Sequence, residues 1–263
     1  MHPLFQKVFP LYADYWRVSK AASDPVSVVM VAFNEAQTIE AEVLRFHEAI
    51  VGRLAGSEFI VAEDGSTDGT SEILQDLARR IGIRHLTGTE RKGYKRAFLD
   101  AIFSARNPYV FFSDSGGKHD PEEFWKLYAL RAEYDLIVGR KTRRKDQLYR
   151  QLLTWSYNFA LRQYFGFEDI RDADSGFRLF NRAVIDQVLR GKLIYRNLIA
   201  SEIVLRTIRS GLRYREVEVS YDMRQGESRG LPPAKLPTVI IGALRAMVDL
   251  KSEFAVSATE RGG

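Results

Sequence analysis

Cysteine is absent from the 263 residues, which excludes a disulfide scaffold and thiolate metal sites and suits a cytosolic protein. Long hydrophobic runs are missing as well. Nothing approaches the ~18 uninterrupted apolar residues of a membrane span, and the longest candidate, 238–244, runs into Arg245, Asp249 and Lys251. The stretch 1–10 has no cationic segment leading into an apolar core, so no secretory signal is expected. Neither a Walker-type phosphate loop nor a GxGxxG fingerprint occurs. His2, His47 and His85 show no metal-ligand spacing. The expectation is a cytoplasmic protein, soluble or peripheral on the inner face of a membrane.

What is present is ordinary globular composition, 45% hydrophobic and 28% charged, enough to bury a substantial core. No internal repeat or low-complexity linker divides the chain, which favours one compact domain. The net charge of +5 is modest but unevenly placed. Between 139 and 151, Arg140, Lys141, Arg143, Arg144, Lys145 and Arg150 face one acid, Asp146. Such a cluster is either a solvated face or a patch for phosphate, nucleic acid or anionic lipid.

An aromatic-rich extension, 1–24, carries Phe5, Phe9, Tyr12, Tyr15 and Trp16. From 26 onward strand and helix alternate. The Val-rich run 26–33 reads as a buried parallel strand. Ile39, Val43, Phe46 and Ile50 then recur at helical spacing, strand 59–62 follows, and Ile73, Leu74, Leu77 and Ile81 mark a second helix. A third helix opens at Lys92-Gly93, and strands are expected at 109–112 and 136–138. Asp120 with Pro121 signals a capped helix start. Beyond 139 come a helix at 147–165, a turn-rich stretch at 171–177, helices near 182–189 and 199–210, an alternating strand at 214–221 and an amphipathic helix at 237–254. Trp125, Trp155 and Tyr157 read first as packing residues. Strand–helix alternation implies a mostly parallel sheet with helices on both faces.

Three successive strands end in carboxylates: Glu35, Asp64 (with Glu63) and Asp114. In a parallel sheet those ends share one edge, where ligands bind α/β proteins. Each acid alone could be a helix cap or turn former; three in succession are harder to dismiss. The loop 65–70, GSTDGT, adds hydroxyls and backbone amides suited to a base or ribose.

The ordered segments VVMVAFNEAQTI, FIVAEDGSTDGT, KGYKRAFLDAI, FFSDSGGKHDP, IVGRK, RDADSGFRLF and SEIVLRTIRSGLRYREVEVSYDMRQGES resemble glycosyltransferase family 2. The likeness runs from about 26 to 229 and is nearest the branch of dolichyl-phosphate mannose and glucose synthases. It implies a GT-A (Rossmann-like) α/β domain over 25–230, with 231–263 as an amphipathic helix and tail. It also implies inverting transfer of a hexose from a nucleotide-diphosphate sugar, with no nucleic-acid partner. Val31, Phe33, Glu35, Asp64, Lys92 and Gly93 would hold the nucleotide.

Asp114 matches the first acid of the family's Asp-x-Asp motif, which holds Mg²⁺ or Mn²⁺ on the donor diphosphate. Here the second acid is Gly116, and Lys118 stands where the synthases often supply a glutamine oxygen. Magnesium requires near-octahedral oxygen ligands. Three readings follow: Asp114 binds metal with His119, Asp120 or water completing the set; Lys118 neutralises the diphosphate itself; or transfer has been lost. Arg140, Arg143 and Arg144 follow the IVGRK strand, where the branch places phosphate-binding arginines. A polyprenyl-phosphate acceptor at a membrane surface would explain them, since its oxygen is already anionic. A hydroxyl acceptor would need a base, for which Asp172, Asp174 and Glu202 are candidates, although Asp172 and Asp174 also suit a turn. Ser175 is expected to shape the acceptor side, and Arg224, Ser228 and Arg229 lie in a loop placed to close over the donor. The final helix, with Leu236, Ile240, Ile241, Leu244, Met247, Val248 and Leu250, would either lie on the membrane or pack on the body.

Overall fold

The computed structural model describes residues 24–88, 90–142, 148–191, 193, 198–221 and 236–259. Its central strand, β1 (Val26–Ala32), is buried along its whole length. β2 (Glu58–Glu63) and β4 (Tyr109–Ser113) flank it in parallel. A short edge strand, β3 (Arg84–Leu86), extends β2 in parallel. β5 (Leu136–Thr142) pairs in parallel with β7 (Tyr214–Ser220). Between β4 and β5 runs β6 (Phe177–Asn181), antiparallel to both. The resulting order is β3-β2-β1-β4-β6-β5-β7.

The sheet is mostly parallel, as the alternation implied; β3 and β6 have no counterpart among the expected strands, and β6 runs antiparallel to its neighbours. β6 matters for the site. Because it reverses direction, its first residue Phe177 pairs with Ser113, the last residue of β4. The turn-rich segment leading into β6 is thereby delivered beside the carboxyl end of β4.

The period of two in each strand divides the core between the sheet's faces. On one face Val28, Met30, Phe59 and Phe111 pack against α1 (Ile39–Phe46), α2 (Thr70–Ile81) and α4 (Phe124–Ala129). On the other, Val29, Val31, Val110 and Phe112 meet α3 (Tyr94–Ser104), α5 (Leu148–Phe165), α7 (Ile199–Arg209) and α8 (Leu236–Thr259). α6 (Arg182–Val184) continues as a wider turn through Ile185–Leu189 on that same face. Burying Phe111 and Phe112, which face opposite sides, stabilises the fold by about 1.5–3 kcal/mol each. The helix start at Pro121 is capped as its sequence predicts: Asp120 Oδ1 accepts from Glu122 N at 3.0 Å.

Two helices leave apolar surface uncovered. α8 packs through Ala246, Met247 and Leu250, while Ile240, Ile241, Leu244 and Val248 face solvent. Along α5, Leu148, Leu152, Trp155 and Phe159 form a second exposed stripe. Trp155 is 60% exposed and stacks on Phe159 at 5.5 Å, so it is not the packing residue its hydrophobicity suggested. The helices meet where Phe165 contacts Phe254 at 5.9 Å. No described helix is long and apolar enough to cross a membrane.

Candidate active site

The loops after β1 and β2 are knitted to each other. Asn34 takes a left-handed backbone, φ 54°, and its Oδ1 accepts from Thr67 N at 2.8 Å. In return Ser66 Oγ accepts from Asn34 N at 2.9 Å, Thr70 Oγ1 from Glu35 N at 2.8 Å and Asp68 Oδ2 from Ala36 N at 3.2 Å. These hydroxyls, expected to meet a base or ribose, instead satisfy amides freed where two parallel strands end side by side.

Asp64 plays a related part. Its buried carboxylate accepts from Lys92 N at 2.8 Å and Gly93 N at 2.9 Å, fixing the loop that opens α3. Gly88 in that loop passes so close that a Cβ would lie 2.4 Å from the Glu63 carbonyl oxygen. Arg91 then sits over the Phe33 ring at 4.0 Å. Glu35 is half-buried and accepts from Thr38 Oγ1 at 3.2 Å. Val31, Phe33, Glu35, Asp64, Lys92 and Gly93 thus form one wall, with Arg91 as an addition that the sequence did not flag.

Beside this wall a cavity of about 330 Å³ opens between α3, β4, the start of β6 and α7. Asp114, Asp174, Arg178 and Tyr94 are its polar lining; Phe98, Phe112, Ile199 and Ile203 are apolar. Asp114 is set by its neighbours: its N–H donates to the Gly176 carbonyl at 3.0 Å, and Tyr94 Oη donates to Oδ1 at 3.5 Å. Asp114 and Asp174 are hemmed in by protein yet reach solvent through the cavity mouth. Burial raises both carboxyls above their ordinary values, against the pull of Lys141 and Arg178. Burial likewise raises the Tyr94 phenol, so it stays protonated as a donor. Arg178 is only 2% exposed, and its guanidinium donates to the backbone carbonyls of Ala173, Ser175 and Ala200. It braces the Asp174 loop against α7 and holds a positive charge at the cavity wall.

Residues 27–189, more than half of the chain, match the model of "Glycosyl transferase family 2". The chain belongs to glycosyltransferase family 2. Among curated family relatives, the glycosyltransferase AglD of Haloferax volcanii is 31% identical over 211 residues, 77% of this chain and 34% of AglD. The dodecaprenyl-phosphate galacturonate synthase of Rhizobium johnstonii is 28% identical over 179 residues, 64% of this chain and 53% of that protein. The undecaprenyl-phosphate 4-deoxy-4-formamido-L-arabinose transferase of Pseudomonas paraeruginosa is 28% identical over 170 residues, 63% of this chain and 50% of that enzyme. The chain therefore spans about a third to a half of the length of these relatives. Glucosyl-3-phosphoglycerate synthase from Mycobacterium tuberculosis, solved with Mn²⁺ and UDP-glucose, superposes with a TM-score of 0.65 at 17% identity over 89% of this chain and 82% of that one. This likeness shows the GT-A fold.

Within the family 2 site, several expected residues sit differently from their sequence reading. Asp172 is buried and ion-paired with Lys141, Oδ1 to Nζ at 3.3 Å, and Oδ2 accepts from Lys141 N at 3.0 Å. It holds a cation in place, which does not suit a proton-accepting base. Ser175 is buried, its Oγ spent on the Gly139 carbonyl at 2.6 Å. Glu202 is fully buried against Arg206 at 2.8 Å. Arg140 pairs with Glu218 on neighbouring β7. On β5 it is instead Lys141, one residue on and therefore on the opposite face, that acts on Asp114, together with Arg178 and Lys118 from elsewhere. Arg143, Arg144, Arg224, Ser228 and Arg229 lie outside the described residues.

Among the described residues a divalent metal finds no matching ligand set. Gly116 supplies no side chain, and a Cβ there would meet nothing within 4 Å. His119 is buried, stacked on Phe177 at 4.8 Å and edge-on to Tyr221 at 5.2 Å. Burial and the charges of Lys141 and Lys118 push its imidazole down to about 3, leaving it neutral. Asp120 is engaged as the cap of the Pro121 turn. Among the described residues no three histidine or acidic side chains are grouped to hold an ion. Asp114 with Gly116 and Lys118 therefore does not fit the cation that the family motif implies.

Proposed function

We propose that this chain moves a hexose, with inversion, from a nucleotide-diphosphate sugar to a polyprenyl phosphate at the cytoplasmic face of a membrane. The observation that carries this is the position of Asp114, which lines the 330 Å³ cavity just past the end of β4, the strand that pairs with β1. A donor lying along the wall from Phe33 to Asp64 brings its sugar to that cavity. The acceptor class is supported by the names of the Rhizobium and Pseudomonas relatives, which specify dodecaprenyl and undecaprenyl phosphate. Peripheral attachment is supported by the exposed stripes of α5 and α8, an apolar surface suited to an interfacial position.

The acceptor's phosphate oxygen attacks the anomeric carbon opposite the departing diphosphate. It is ionised at neutral pH, so no side chain has to remove a proton. Asp114 and Tyr94 orient the sugar, and the apolar side of the cavity excludes water from the reacting carbon. One observation favours a second reading: Asp174 is a carboxylate at the cavity with no hydrogen bond among the described residues, positioned to serve as base for a saccharide hydroxyl.

Supplying UDP- and GDP-hexoses with either a short-chain polyprenyl phosphate or an oligosaccharide separates the readings. Transfer to the lipid phosphate alone is expected. Transfer to the oligosaccharide alone would move the assignment to Asp174-assisted chemistry. Nucleotide binding without any transfer would make the chain a binding protein.

A further inference from the structure

The loss of a metal ligand set leaves one requirement unmet. As the acceptor oxygen bonds to the anomeric carbon, the bond from that carbon to the diphosphate oxygen breaks. Its electron pair leaves on the diphosphate, which gains one negative charge. A preorganised positive group has to meet that charge for the step to be fast.

We infer that Lys118 and Lys141, gathered at the ring of Tyr221, neutralise the departing diphosphate in place of a divalent cation. The inference rests on the transfer proposed above. Both ammonium groups lie 5.6 Å from the Tyr221 ring centroid, so they share one aromatic platform. They come from separate elements: Lys118 follows Gly116-Gly117 in the loop after β4, and Lys141 stands on β5. The ring is held there by the bridge between His119 and Tyr221. Lys141 is further fixed by its buried pair with Asp172, whose side chain is 4% exposed. Both lysines act electrostatically on Asp114, which itself lines the cavity where the donor sugar is proposed to sit. The replacement is reciprocal. Where the motif would carry an acid, Gly116 leaves open space, and two residues on an ammonium stands where an oxygen ligand would be.

The test is calorimetric binding of UDP, GDP and inorganic pyrophosphate, each in EDTA and in Mn²⁺. Wild-type protein is expected to bind a nucleoside diphosphate in EDTA, Mn²⁺ changing Kd by less than about twofold, while Lys118→Gln weakens binding about tenfold or more. Lys141→Gln combined with Asp172→Asn removes a cation without stranding its partner and is expected to weaken binding likewise. Gly116→Asp with Lys118→Gln, which the open space at 116 accommodates, is expected to create Mn²⁺-dependent binding. Wild-type affinity that vanishes in EDTA and returns with Mn²⁺, or Lys118→Gln binding as wild type does, would overturn the inference. Lys118-dependent binding of pyrophosphate alone would keep the inference and remove the nucleotide assignment. Binding of none of the three probes would remove both.

Discussion

Asp114 occupies the space that a side chain at residue 176 would need: a Cβ on Gly176 would lie 1.8 Å from Asp114 Oδ2. The same pair is joined by the Asp114 N–H and the Gly176 carbonyl at 3.0 Å. The antiparallel entry of β6 brings the two together, because it sets Phe177 opposite Ser113. Glycine at 176 is thus a condition for where the carboxylate points.

Gly176→Ala should leave the fold intact while turning Asp114 away from Tyr94. The clash falls on the end of a side chain, so the stability loss should be about 1 kcal/mol, the low end for overpacking. Misplacing an orienting group by an ångström costs about a hundredfold in rate. Thermal unfolding together with kcat/KM for transfer checks this; full activity in a folded variant would show that Asp114 need not be held.

Asp172→Asn should be far more damaging to stability than to the shape of the cavity. Lys141 and Asp172 are 12% and 4% exposed, so the substitution strands an ammonium in the interior. Breaking such a pair costs about 3–5 kcal/mol. Urea unfolding should show a lower midpoint at unchanged slope. A midpoint equal to wild type would mean that solvent reaches Lys141 in solution.

The sequence made the parallel part of this fold legible because its strands are apolar runs and its helices keep a period near four, as at Ile39, Val43 and Phe46. β6 escaped because Phe177–Asn181 follows a turn-rich stretch directly and carries Arg178 as its second residue, which reads as surface. That arginine is buried because backbone carbonyls take its donors, a contact no local pattern announces. β3 is three half-buried residues with no alternation to detect. Among the candidate site residues, Asp64 and Asp114 were visible as strand-end acids. Lys141 was hidden inside a basic run, although a strand period of two would have separated it from Arg140. Asp172 and Ser175 looked available because their partners, Lys141 and the Gly139 carbonyl, come from a strand more than thirty residues away.

Glu42 gives the fold a pH dependence. It lies under the glycine loop, where a Cβ on Gly117 would be 3.9 Å from its Oε2. Its Oε1 is buried without a hydrogen-bond partner among the described residues, and burial pushes its carboxyl up to about 7 despite Arg45 at 3.1 Å. The native state then binds a proton that the unfolded state releases, so stability falls as pH rises from 4.5 through about 7. Glu42→Gln should stabilise the protein above that window by roughly 2–3 kcal/mol and change little below it. Denaturation at the two ends of the window checks the sign; an equal effect at both would rule out titration of Glu42.

Charge placed on the exposed stripes should abolish membrane attachment without unfolding the chain. Trp155→Glu and Leu244→Glu alter side chains that are 60% and 54% exposed, so each should shift stability by no more than about 0.5 kcal/mol. Co-sedimentation with anionic vesicles should fall for each and be lost in the double variant. Unchanged sedimentation would assign these stripes to something other than a bilayer.

The most direct measurement is the anomeric configuration of the product formed from a nucleotide α-hexose and a short-chain polyprenyl phosphate in vesicles, read by NMR. A β-linked hexosyl phosphate is the expected result, formed at the cavity that Asp114 lines and reduced by Gly176→Ala. An α-linked product, free hexose alone, or no consumption of any donor in a folded, vesicle-bound sample would contradict inverting transfer to a lipid phosphate.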